Sequence, residues 1–321
     1  MKMKNVFLAA LFCLLLASCS EKDEIPVEPD LVSDQVRRIT SIDITGSWID
    51  TTVYAESSYR LTCEYDSKRR LSELTFTTFD KNGTGFKEVF NVSYRDQAID
   101  VCRLHDVRKD GVVIGYDTTS VLAYTLSDKN LIDRIDERYS MRDNYQYVYQ
   151  VSEYENGYFN KGVYWMSEDP LIIENTSHYV NGILDSYRMT MQLAEDWSSY
   201  SYEEYTWSYT TMENKLKIPG QVLFGVFWFS FLNQVNSSPF LDPFFYQMGY
   251  YGKQLPYWEK SGKSQVFDVT KNEVVLNELG AYDYSFQYEF DDEGYPTTMK
   301  VTLDYCSTST MAEFVFHFTY D

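Results

Sequence analysis

The chain has 321 residues, of which 28 are Lys or Arg and 48 are Asp or Glu, for a net charge of −20. That balance leaves no basic footprint for nucleic acid, disfavours anionic lipid surfaces and favours solubility. Aromatic residues make up 17% of the chain, with 29 tyrosines. This composition suits half-buried sheet faces, and the length admits one large β domain or two ordinary ones.

Lys2 and Lys4 precede an uninterrupted apolar run from Val6 to Ala17, which ends in Leu16-Ala17-Ser18-Cys19. A basic head, a short apolar core and small residues at its end predict a cleaved secretory leader over 1–18. The run is shorter than the roughly 20 residues a helical membrane span needs. The tetrapeptide resembles the lipobox of bacterial lipoproteins. That resemblance implies a lipid on Cys19 and a protein held on a membrane through it. Ser20, Glu21, Lys22, Asp23 and Glu24 resemble the acidic export tag of Bacteroidetes surface lipoproteins, which implies the outer membrane and a domain facing the cell exterior. As residues alone they read equally as a solvated tether, continued by the Pro-spaced Ile25-Pro26-Val27-Glu28-Pro29-Asp30. The tether is assigned to 19–34 and a single β domain to 35–321.

Within that domain apolar and polar residues alternate with period two. Leu61, Cys63 and Tyr65 alternate with Arg60, Thr62 and Glu64; Tyr145, Tyr147, Tyr149 and Val151 form another stripe. Tyr284, Phe286, Tyr288 and Phe290, then Met299, Val301, Leu303 and Tyr305, then Phe314, Phe316, Phe318 and Tyr320 repeat the pattern. Strands with one buried and one solvated face predict an antiparallel sheet. Acidic, Asn- or Gly-bearing turns separate them: Asp66-Ser67-Lys68-Arg69-Arg70, Asp80-Lys81-Asn82-Gly83, Ser127-Asp128-Lys129-Asn130, Asn156-Gly157 and Asp291-Asp292-Glu293-Gly294. These units resemble diverged YD-type hairpin repeats of bacterial surface proteins. The last turn lacks the alternating ligands and distal Glu of a calcium loop, so it reads as a turn.

One stretch breaks the alternation. After Ile218-Pro219-Gly220, the segment from Val222 to Leu232 is nearly all apolar, and a second aromatic cluster, Phe244-Phe245-Tyr246, follows. Pro219 suits the first turn of a helix. The insert, about 214–262, is expected to be mostly helical and packed in the concavity of a large curled or barrel-like sheet. There Phe224, Phe227, Trp228 and Phe231 would wall a ligand pocket.

Chemistry-bearing motifs are absent. There is no G-x-S-x-G; Gly262-Lys263-Ser264 lacks the earlier glycine of a phosphate loop, since Tyr257 stands there. His105, His178 and His317 have no metal-like spacing, so no metal or cofactor is expected. Cys63, Cys102 and Cys306, left after Cys13 and Cys19, allow at most one disulfide and have no metal-like spacing. Asp50-Thr51-Thr52 and Asp117-Thr118-Thr119 resemble sites at which Bacteroidetes glycosylate exported proteins.

The lipobox, the Tyr-rich hairpins, Asn214-Lys215-Leu216-Lys217-Ile218 leading into the insert, Leu255-Pro256-Tyr257 and the closing Tyr288–Pro296 turn together resemble uncharacterised Bacteroidetes surface lipoproteins described as having a porin-like β fold. The resemblance implies a curled or closed antiparallel sheet and no activity. The expected function is an outer-membrane, lipid-anchored, non-enzymatic binder of a hydrophobic molecule or glycan, with Trp165, Trp197, Trp207 and Trp258 as candidate stacking platforms. The alternative is an integral outer-membrane β-barrel, favoured by the terminal Phe314-Phe316-Phe318-Tyr320 stripe. Against it stand short strands with charge on both faces, as in Leu131-Ile132-Asp133-Arg134-Ile135-Asp136-Glu137. A glycan-degrading enzyme is the weaker alternative, since abundant carboxylates single out no catalytic pair.

Overall fold

The computed structural model describes residues 36–49, 54–79, 85–109, 112–139, 146–166, 169–193, 196–223, 238–253, 255–270, 273–305 and 311–321. Sixteen strands run in chain order: β1 (Ile39–Ile49), β2 (Tyr54–Tyr65), β3 (Leu71–Phe79), β4 (Lys87–Arg95), β5 (Ala98–Lys109), β6 (Val112–Leu126), β7 (Ile132–Tyr139) and β8 (Gln146–Glu155). They continue with β9 (Tyr158–Met166), β10 (Asp169–Val180), β11 (Ile183–Leu193), β12 (Asp196–Glu213), β13 (Tyr257–Thr270), β14 (Glu273–Phe290), β15 (Pro296–Tyr305) and β16 (Met311–Tyr320). Each pairs antiparallel with its sequence neighbours, and β1 pairs with β16, so the sheet closes into a barrel. Closure removes both unpaired edges. The curled sheet expected from the alternation is therefore a complete barrel.

The period-two pattern separates inside from outside. Tyr59, Ile44, Phe316, Met299 and Tyr288 are successive register partners and face inward. One residue along each strand, Arg60, Asp43, His317, Thr298 and Glu289 form the adjacent row and face outward. A slip of one residue would exchange these rows, so the pattern fixes the register. Cys63 is buried inside, whereas Cys102 is on the outer face, and neither is in a disulfide; Cys306 lies outside the described residues.

The two ends differ. At one end the connections are tight. Asn156-Gly157 and Asn181-Gly182 turn with positive φ at both positions, the geometry that suits strand twist. Asp66 and Asp291 hold wider turns through their carboxylates: Asp66 accepts Lys68 and Arg70 backbone N–H groups, and Asp291 accepts those of Glu293 and Tyr295. The Asp291 oxygens thus serve the turn. Both ends of the described chain meet here, where Arg38 N–H donates to Asp321 Oδ1 at 2.8 Å.

From the β12–β13 connection, the described residues 214–223, 238–253 and 255–256 fold back into this end as a plug. It contains a helical turn at 220–223 and helix α1 (Ser238–Gln247). The insert is shorter than expected, because Tyr257 already begins β13; β13 then carries Trp258 and Glu259 into the packing with the plug. Leu216, Ile218, Leu223, Leu241, Phe244, Phe245 and Met248 are at most 1% exposed. Phe245 meets Tyr124 edge-on at 4.8 Å, and Tyr250 stacks near Tyr94. The plug also touches many sides of the wall: the Gln247 amide donates to Arg37 O, Ile132 N–H to Tyr250 O, Lys253 N–H to Gly157 O and Gly220 N–H to Glu259 Oε2. A helical insert inside the sheet is what its composition predicted; the packed residues seen here are those on either side of 224–237.

Candidate ligand-binding lumen

Among the described residues, the plug fills one end of the barrel and leaves the inward side chains of the other end less tightly packed. Near the plug the inward side chains are fully buried, as for Ile42, Tyr124, Met299 and Phe316. Toward the other end, inward-facing Tyr149, Tyr187, Met189, Tyr205, Trp207 and Tyr282 remain partly exposed.

The wall of the open half has two characters. Over β11–β14 it is aromatic. Tyr205 and Trp207, two residues apart on β12, lie nearly parallel with centroids 6.0 Å apart, and Tyr187 and Tyr282 flank Tyr205 at 5.8 and 6.4 Å. Glu203, 9% exposed, is set among these rings and accepts the hydroxyl of Ser264. The Tyr282 hydroxyl donates to that of Tyr205 at 3.3 Å. Burial, then the neighbouring Tyr282 and Glu203, push the Tyr205 phenol well above its ordinary pKa, so it stays neutral and can donate or accept.

Across the barrel, over β4–β7, the inner wall carries charge. Arg103 donates to Glu88 at 2.6 Å and packs over the Phe90 ring at 5.8 Å; Ser120 donates to Glu137 at 2.8 Å. Glu88 and Glu137 are at most 6% exposed, and such groups persist inside only when paired. The lumen is thus aromatic on one arc and ionic on the other, the mix of apolar surface and few placed polar groups typical of small-molecule sites.

The expected site residues fall differently. Cys19, Ser20, Glu21, Lys22, Asp23 and Glu24 lie outside the described residues, as do Phe224, Phe227, Trp228 and Phe231. Of the candidate platforms, Trp207 faces the lumen, Trp165 stands on the outer wall, and Trp258 is fully buried against Tyr288 at 5.0 Å. Asp117-Thr118-Thr119 lies within β6. The sequence reading missed Glu88, Arg103, Ser120, Glu137, Glu203 and Ser264. The available signal was polar residues in the inward phase of their strands, of which Glu137 is the clearest. A depression of about 550 Å³ also opens between Lys263, Asp283, Asp304 and Ser/Thr side chains of β12–β15. It lies on the outer wall and is open to solvent.

No family model matches the chain, and no curated protein matches it. Among solved structures it is similar to a porin-like protein from Bacteroides uniformis ATCC 8492, with 13% identity over 89% of this chain and 99% of that one, at a TM-score of 0.57. A porin-like protein from Bacteroides vulgatus ATCC 8482 matches at 12% identity over 88% and 98%, at a TM-score of 0.39. At this identity the first likeness is one of fold: a porin-like barrel.

Proposed function

We propose that this chain is a lipid-anchored outer-membrane barrel protein that binds a small amphipathic ligand, glycan or hydrophobic molecule, in the open half of its lumen. The observation that carries this reading is the graded inner wall among the described residues: packed by the plug at one end, and at the other lined by partly exposed aromatic rings with paired polar groups buried behind them. A plugged end favours a receptacle over a through-pore. The described chain starts at the plugged end, so the tether enters there. Residues 19–35 reach at most about 60 Å when extended, enough to hold the barrel beside a membrane.

The binding half is tested by titrating the protein with N-phenylnaphthylamine, an amphipathic fluorescent probe, and with neutral oligosaccharides. Tyr205→Ala and Trp207→Ala are each expected to weaken the bound class about tenfold or more, the loss of roughly 1–2 kcal/mol typical of a buried aromatic contact. Unchanged binding would refute the lumen as the site. For the anchor, Cys19→Ala is expected to abolish fatty-acid labelling and move the protein from the membrane to the soluble fraction.

A second reading, an integral outer-membrane barrel, is favoured by the closed sixteen-strand sheet and the porin-like fold. These two findings fit an integral barrel better than a lipid-anchored binder; the character of the outer wall is what speaks for the tethered reading. A spanning wall needs an outward apolar band about 25 Å tall. Here the outward rows carry ion pairs on many strands, among them Arg60–Asp43, Arg95–Asp100, Arg134–Asp136, Lys161–Glu174, Arg188–Glu204 and Lys300–Glu313. A Cys19→Ala protein that resists alkaline extraction from membranes would establish the integral reading.

A further inference from the structure

The outer wall is not uniformly polar. Toward the open end, one outward row runs from Val148 through Trp165 and Ile172 to Tyr200, Val269 and Val274, broken by Gln192. On β12–β14 the row below it continues with Tyr202, Phe267 and Leu276. Tyr200 is 37% exposed, Leu276 42% and Val274 57%, whereas Val148 and Val269 are buried beneath their neighbours, so the exposed part of the flank is centred on β12 and β14. Two rows further toward the plug, the same strands carry Thr206, Lys263 and Asp283.

The height of this flank identifies its occupant. Outward rows are two residues apart, about 7 Å along a strand. That is far short of a bilayer span, but it matches the roughly 5–10 Å by which interfacial elements enter the headgroup–acyl boundary. The border has the matching chemistry. Arg134, one row nearer the plug than Trp165, lies 5.8 Å from that ring, and Arg188 lies 4.5 Å from Tyr202. Trp and Tyr underlain by Arg is the arrangement found at membrane interfaces; Asp136, which pairs with Arg134 and shares the Val148 row, bounds the flank at β7.

From this we infer that the open-rim flank of β8–β14 docks into the interfacial layer of a zwitterionic phospholipid bilayer. The net charge of −20 selects against anionic lipid. Contact at the rim also brings the unplugged end of the lumen beside the lipid phase, and the inference stands whether or not the lumen binds a ligand.

Flotation tests it. The chain is produced from residue 20 onward, without leader or lipid, and mixed with phosphatidylcholine vesicles. It is expected to float with them, and to float at least threefold less when a third of the lipid is replaced by phosphatidylglycerol. Val274→Asp combined with Leu276→Asp is expected to cut flotation at least tenfold with an unchanged melting temperature, since both residues are exposed. Thr302→Asp, on the charged wall, is expected to float like the parent. The inference is overturned if the parent stays at the bottom, if the double variant floats equally well, or if Thr302→Asp loses flotation to the same degree. A parent that forms dimers abolished by the double variant, without binding vesicles, would overturn it in favour of self-association.

Discussion

Leu303→Asp and Thr302→Asp place the same charge one residue apart on β15, so their difference measures the sidedness of the wall. Leu303 has no exposed surface and lies between its register partners Tyr284 and Ala312. Removing its side chain costs about 2–5 kcal/mol through lost burial and the cavity left behind. The carboxyl adds a second penalty. Asp242, half-buried in the plug, gives the scale elsewhere in this protein, where desolvation pushes its carboxyl from 3.8 up to about 7. Keeping a carboxyl neutral at pH 7 in such surroundings costs about 4 kcal/mol, at roughly 1.4 kcal/mol per pH unit. The sum, about 6–9 kcal/mol, rivals the whole stability of a typical domain, about 5–15 kcal/mol. Thr302 faces outward between Ser285 and Glu313, so Thr302→Asp should cost no more than about 1 kcal/mol. Urea unfolding followed by tryptophan fluorescence reads both. Leu303→Asp should fail to fold or unfold at far lower urea, with Thr302→Asp near the parent. Comparable losses, or a larger loss for Thr302→Asp, would refute the assignment of inside and outside.

Two further outcomes follow from the plug. Phe245→Ala removes a fully buried ring that meets Tyr124 at 4.8 Å and Tyr250 at 5.9 Å; it should cost about 3–5 kcal/mol, and a loss under 1 kcal/mol in urea unfolding would mean that the plug is not part of the core. Burial raises the Asp242 carboxyl to about 7, against a hydrogen bond from the Tyr251 hydroxyl at 2.6 Å that lowers it. The native state therefore holds a proton that the unfolded chain releases. The stability from this group is complete below about pH 3.8 and is lost as pH rises toward about 7. Between pH 5 and pH 8 the urea midpoint of Asp242→Asn should fall less than that of the parent, and parallel pH profiles would contradict this.

Much of the fold was legible because strand chemistry is local. The alternation of Tyr284, Phe286, Tyr288 and Phe290 sets a buried face without knowledge of the partner strand, and Asn156-Gly157 specifies its own turn. The apolar mid-chain insert announced itself by breaking that period. What the sequence could not decide was closure, since pairing of Ile44 with Phe316 joins residues at opposite ends of the chain and no local pattern encodes it. The site depended on the same long-range step. Glu203 and Ser264 lie 61 residues apart and meet only across the β12–β13 pair, while the aromatic and ionic arcs of the lumen become opposite walls only when the barrel closes. Individual residues carry the phase of their strand; which residues share a space is a property of the closed sheet and the plug within it.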